Sequence, residues 1–188
     1  MGIKTKAKTI KSEPTVSRPE LLVGNSDEAF REFVHDTLAF SARLQEIRSR
    51  LGQAIGLSGT QYTVLIAIAH LQEKDDKVGV NQVAEHLHFS GAFITIEINK
   101  LVASGLVKKV TDEADRRRVV LSITAKARDL LNQLAPLQRP ANDLLFRSLS
   151  AADFERLRKV MGQLVGTADE TILLLNYTAQ ATPPRPAK

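Results

Sequence analysis

Three consecutive arginines, Arg116, Arg117 and Arg118, stand among three acids, Asp112, Glu113 and Asp115. They lie between two β-rich runs, 106–110 and 119–123. Two such runs joined by a charged octet predict a β-hairpin with a basic tip. Guanidinium groups on a hairpin tip suit the narrow minor groove of duplex DNA, where negative potential is enhanced. Asp115 precedes Arg117 by two residues. In an extended strand their side chains share a face, so the carboxylate is expected to hold the guanidinium in its reading pose. The bland alternative is a solvated, charge-balanced loop.

The segment just before the hairpin, SGAFITIEINKLVASG at 90–105, predicts a helix capped by Ser90 and stopped by Gly105 in the left-handed conformation. At 100° per residue, Ile94, Ile98, Leu101 and Val102 share a core face. The opposite face carries Ala92, Phe93, Ile96, Asn99 and Lys100, with Thr95 at its margin. Asparagine can pair with adenine through two hydrogen bonds, and lysine can reach guanine or phosphate. Phe93 and Ile96 are unusual on an exposed face. Either they touch thymine methyl groups, or one or both pack under the hairpin or a neighbouring helix. Ser90, Gly91 and the helix N-terminus offer N–H groups to a phosphate. Lys108 and Lys109 face opposite sides of their strand, so one of them is expected to reach phosphate. Lys100, Lys108, Lys109 and the three arginines fall within 19 residues. The DNA-contacting set is thus Ser90, Gly91, Ala92, Phe93, Thr95, Ile96, Asn99, Lys100, Asp115, Arg116 and Arg117.

Several helices must position these groups. A first helix is expected from Asn25, which forms a capping-box pattern with Glu28. Phe33, Thr37, Phe40, Leu44, Ile47 and Leu51 then alternate at spacings of four and three, a coiled-coil-like seam. Gly56 ends it. Ser58 and Gln61 form another capping pattern, opening a helix with Tyr62, Leu65, Ile66 and Ala69. Asn81 is read as the cap of a short third helix, 82–89. The short spacer before Ser90 is that of a helix-turn-helix. Thr124 caps a long region that Pro136 and Pro140 are expected to kink or divide. Ser150 and Asp153 open the last helix, with Phe154, Leu157, Met161, Leu164 and Ala168 on one face. The fold class is mainly α (α+β), a winged helix-turn-helix between long terminal helices. The organisation is a basic arm at 1–24, a first dimerisation helix at 25–56, a reader lobe at 57–124, C-terminal dimerisation helices at 125–176 and a loose tail at 177–188. Apolar faces on the terminal helices need cover, and a second copy of the chain is the economical partner.

Composition narrows the class. The 188 residues suit one domain with tails, and 43% hydrophobic content supports a core. The net charge of +5 sits in the termini: +3 in residues 1–20 and +2 from Arg185 and Lys188. Between them are 19 basic and 19 acidic residues. A nucleic-acid role therefore rests on local clustering rather than on overall charge. The arm either adds salt-sensitive affinity for DNA or is inert. No cysteine is present, which excludes disulfides, thiolate zinc sites and thiol redox sensing. No apolar run of membrane length and no signal-peptide core is seen, so the expected place is the cytoplasm, away from membranes. His86-x-His88 does not put two rings on one helix face, and no metal is expected. No phosphate loop or nucleophile motif marks an enzyme, and no cofactor is expected.

Residues 90–124 resemble the MarR family of winged helix-turn-helix transcriptional regulators. The resemblance is carried by NKLVASGLV at 99–107 and DEADRRRVVLSITAKARDLL at 112–131, with VNQVAEHLHFS at 80–90 and LSGTQYTVLIAIAHL at 57–71. It extends over about residues 28–175. It implies a homodimer on a palindromic operator, with Asp115 and Arg117 in the family's wing positions and Arg117 in the minor groove. It also implies a repressor released by a small aromatic or phenolic effector. His35, Phe40, Arg43 and Tyr62 are the candidate walls and carboxylate partner of such a pocket; dimer core for Phe40 and surface ion pairing for Arg43 are the alternatives. Ile96 stands where many members carry arginine, and Ala127 where glycine is common. The rival readings are a winged-helix module that binds protein through Phe93 and Ile96, and an architectural DNA binder without ligand control.

Overall fold

The computed structural model describes residues 13–113 and 115–181. Six helices and one hairpin follow in the order α1 (Glu28–Ala54), α2 (Gly59–Gln72), α3 (Val80–Leu87), α4 (Gly91–Ala103), β1 (Val107–Thr111), β2 (Val119–Ile123), α5 (Ala125–Leu145) and α6 (Ala151–Ala181). No single described helix is long and apolar enough to cross a membrane. The chain divides into two compact units, one ending at Ala135 and the other beginning at Pro136.

The first unit is organised around α2, whose sequence YTVLIAIA is apolar on nearly all sides and is therefore central. Tyr62, Val64, Leu65 and Ile68 are all but fully buried, with Val78, Val83, Ile94, Ile98, Leu101 and Leu121. The helix packs against α1, α3, α4 and β2. Two glycines make the crossing with α1 close. A Cβ on Gly52 would lie 2.9 Å from the Ser58 carbonyl oxygen, and one on Gly59 would lie 2.9 Å from Ser49 Cα.

Helix ends follow local chemistry. Ser58 and Gln61 form the expected reciprocal capping box. Gly56 and Gly105 adopt φ of 74° and 70°. At each, the glycine's own N–H and that of the next residue donate back onto the last turn: Gly56 to the Gln53 carbonyl and Leu57 to that of Gly52, Gly105 to the Val102 carbonyl and Leu106 to that of Leu101. The third such stop, after α3, uses His88 at φ 53° in place of glycine. Its signature bonds, Phe89 to Ala84 and His88 to Glu85, are both present. A left-handed non-glycine residue is strained, so His88→Gly is expected to stabilise the fold by about 1 kcal/mol, read as a rise in urea midpoint.

Two helix starts differ from the sequence reading. Asn25 is not a cap: it sits at φ 60°, and α1 begins at Glu28. Asp27 instead receives the Thr15 N–H at 2.7 Å and the Thr15 hydroxyl at 2.8 Å, which hold its carboxyl below the usual range. The partner lies 12 residues away, beyond any local capping pattern. Likewise α3 starts at Val80 after Gly79, whose N–H donates to Gln82 Oε1, so Asn81 is inside the helix.

The hairpin pairs Val107 with Ile123 through Thr111 with Val119, antiparallel. It is tied to the lobe at three places along its length. Leu121 N–H donates to the Val78 carbonyl at 2.8 Å, and Ile123 N–H to Gln72 Oε1 at 2.8 Å. Lys77 Nζ lies 3.0 Å from the buried Asp112 carboxylate. Thr124 caps α5 as expected and also donates to the Gly105 carbonyl. Ala127 and Leu134 enter the core from the first turns of α5.

In the second unit, α5 does not break at Pro136 or Pro140; it continues to Leu145. Each proline withholds one N–H from the helix ladder. Ser150 and Asp153 form the capping box that opens α6: Asp153 N–H donates to Ser150 Oγ at 3.2 Å. That helix runs 31 residues to Ala181 and so includes positions 177–181, read above as tail. Residues 1–12 and 182–188, the ends of the expected arm and tail, lie outside the described residues. Phe154, Leu157, Met161 and Leu164, spaced three, four and three, are each more than 40% exposed.

Candidate nucleic-acid interface

The outer face of α4 is the one the sequence predicts. Ile94, Ile98 and Leu101 are fully buried, while Ala92, Phe93, Ile96, Asn99 and Lys100 are exposed and Thr95 is half-buried. Ser90 Oγ accepts the Phe93 N–H at 3.3 Å, fixing the helix start. Thr95 is not free to reach outward, because its hydroxyl donates to the Gly91 carbonyl at 2.7 Å. Phe93 stands edge-on to Phe89 with ring centroids 5.3 Å apart, so its ring is partly spent on the turn between α3 and α4.

Both polar side chains at the end of this face, Asn99 and Lys100, have partners within the chain. Lys109 Nζ donates to Asn99 Oδ1 at 3.2 Å, which places this lysine, rather than Lys108, over α4. Lys100 Nζ pairs with Glu97 at 2.7 Å. Glu97 is buried, a carboxylate under the reading helix that the sequence reading left out. Its signal was present: an acid three residues before a lysine, on the apolar side of the wheel.

The hairpin tip differs from the expected extended pairing. Asp115 Oδ1 accepts the backbone N–H of Arg117 at 3.0 Å, rather than its guanidinium. The Arg118 N–H donates to the Asp115 carbonyl at 2.8 Å, and the Asp112 N–H to the Arg118 carbonyl at 3.0 Å. Asp115 is thus the first residue of a tight turn, a role its residue type favours. The carboxylate shapes the tip, and Arg116 and Arg117 extend from it, exposed. Arg117 and Arg118 also line a cleft with Gly79, Val80, Asn81 and Gln82 at the start of α3. The hairpin arginines and the start of α3 therefore share one cleft.

The four residues considered for an effector have separate surroundings. Tyr62 is 1% exposed in the core, where burial pushes its hydroxyl pKa up. The cation over its ring is Arg48, at 5.1 Å, rather than Arg43. Arg43 pairs with Glu46 at 2.9 Å. His35 and Phe40 lie on the exposed side of α1. Of the histidines weighed for metal, His88 forms the left-handed turn, and His86 faces His70 with ring centroids 5.7 Å apart. Burial, and next the His70 neighbour, lower the His86 pKa. Among the described residues no group of three metal-ligating side chains occurs.

Helix-turn-helix and arginine-tipped hairpin on one core define a winged helix-turn-helix protein. A family model described as MarR family matches residues 55–118, from the end of α1 to the wing tip. The HTH-type transcriptional regulator SarZ of Staphylococcus epidermidis is 29% identical over 84 residues, which are 45% of this chain and 54% of that protein. The chain thus spans about half the length of the curated relatives it matches. Among solved structures, the transcriptional regulator BldR from Sulfolobus solfataricus superposes with a TM-score of 0.61 at 23% identity, covering 75% of this chain and 96% of that one. A mutant MarR from E. coli in complex with operator DNA gives 0.59 at 14% identity, covering 73% and 94%. At these identities the structural likeness is one of fold.

Proposed function

We propose that this chain is a homodimeric, sequence-specific DNA-binding transcriptional regulator, acting as a repressor in the cytoplasm and released from its palindromic operator by a small effector. The observation that carries the DNA reading is the outward face of α4, capped at Ser90, beside a wing tip that presents Arg116 and Arg117. The same fold in the E. coli protein complexed with operator DNA supports it. In this reading α4 enters the major groove and Arg117 the adjacent minor groove. The dimer is supported by the exposed apolar row Phe154, Leu157, Met161 and Leu164, which has the three-four spacing of a helix–helix seam. Repression and effector release rest on the family resemblance. A melting-point rise with a specific aromatic acid, at fixed protein concentration, is the test of the effector.

The test of the DNA reading is fluorescence anisotropy with the duplex upstream of the chain's own gene. Arg117→Ala is expected to lower affinity by roughly 1–3 kcal/mol, and sedimentation should show a dimer. Binding indifferent to Arg117 would remove the wing from the interface.

A further inference from the structure

We propose that the recognition helix of this chain reads thymine through its C5-methyl group, with Ile96 as the specificity-determining residue. The inference rests on the DNA-binding role proposed above and narrows it to one base feature. On the outer face of α4, Ile96 occupies the centre and is 55% exposed, with Ala92 and Phe93 one turn before it and Asn99 and Lys100 one turn after it. The polar groups around it are already engaged: Thr95 with the Gly91 carbonyl, Asn99 with Lys109, and Lys100 with the buried Glu97. Glu97 is an acceptor set under the helix, so Lys100 reaches a guanine only by leaving a carboxylate at 2.7 Å. What α4 offers without breaking an internal bond is the Asn99 amide N–H at one side and, at the centre of the face, a branched aliphatic side chain flanked by an alanine methyl and an aromatic ring.

The major-groove edge has one apolar feature that such a surface matches, the methyl of thymine. Charge around the patch suits duplex DNA as its occupant. Lys109 lies over α4 at Asn99, and the wing of the same lobe carries Arg116 and Arg117. These cations position the duplex by its phosphates and minor groove without specifying sequence, which leaves the apolar face to specify it.

The test uses the full chain and the duplex upstream of its own gene, amplified with either dTTP or dUTP. Deoxyuridine keeps every hydrogen-bonding group of thymine and removes the methyl. Affinities of the wild type and of Ile96→Ala are measured for both duplexes by anisotropy, with melting curves to confirm that the variant is folded. The wild type is expected to lose about fourfold in affinity for each contacted methyl removed. Ile96→Ala is expected to bind the two duplexes equally, near the wild-type value for the deoxyuridine form. A wild type indifferent to the methyl overturns this inference and leaves the DNA reading standing. A variant that keeps the wild-type ratio takes the readout away from Ile96. Failure of the wild type to bind either duplex overturns the DNA reading, and this inference with it.

Discussion

Ile98→Ala is expected to lower the unfolding free energy by about 2–5 kcal/mol, the usual range for emptying a fully packed isoleucine site. Ile98 is 0% exposed among Ile94, Leu101 and the side chains of α2. A domain of this size holds only about 5–15 kcal/mol of net stability, so the loss is a large share of it. Ile96, two residues away and of identical chemistry, is 55% exposed. Its replacement by alanine is expected to fall within about 0.5 kcal/mol of wild type. Urea denaturation of both variants decides the matter: the midpoint should drop sharply for Ile98→Ala at unchanged slope and stay in place for Ile96→Ala. Equal shifts for the two would mean that α4 is rotated from the face assigned to it.

Gly52→Val is expected to cost about 3 kcal/mol or more, the upper end of overpacking effects. Replacing a helical glycine ordinarily helps, by roughly 1 kcal/mol for alanine. Here the sign reverses because the new Cβ meets two backbone oxygens, Ser58 O at 2.9 Å and Leu57 O at 3.0 Å, and the buried Tyr62 Cβ at 3.1 Å. Those carbonyls belong to the tight stop of α1 and the cap of α2, where the Leu57 N–H is itself bonded to the Gly52 carbonyl. None can yield as a flexible side-chain end would, so α1 and α2 must separate. A thermal melt that matches or exceeds wild type would show that the crossing has slack.

The parts of this fold that were legible in sequence are those with short-range causes. The Ser58–Gln61 and Ser150–Asp153 boxes, the Gly105 stop, the Thr124 cap and the inner face of α4 all follow from residues within eight positions of one another. The misreadings have long-range or competing causes. Asn25 lost its capping role because α1 starts only after Asp27, whose carboxylate is held by Thr15, 12 residues before it. Asp115 was read as a strand residue facing Arg117, whereas turn chemistry took its carboxylate for a backbone N–H. Glu97 was missed because the inner face was assigned from apolar side chains alone, whereas Lys100, three residues on, lets an acid sit at the margin of that face. Arg43 was read as either a carboxylate partner in a pocket with Tyr62 or a surface ion pair; it pairs with Glu46, and the cation over the Tyr62 ring is Arg48.

The three ties that hold the hairpin have a mechanical consequence. Lys77 with Asp112, Val78 with Leu121 and Gln72 with Ile123 are attachments spread along its length, and all reach the end of α2 or the segment after it. A body fixed at three separate points keeps no freedom to swing alone, so the hairpin turns only when that segment turns. It acts as a lever. Its strands are five residues each, about 17 Å long. A rotation of about 10° at the base carries the arginine tip sideways by about 3 Å, half the roughly 6 Å width of a minor groove. A tilt of about 10° at the end of α2 is therefore sufficient to take Arg117 out of register with the minor groove proposed for it.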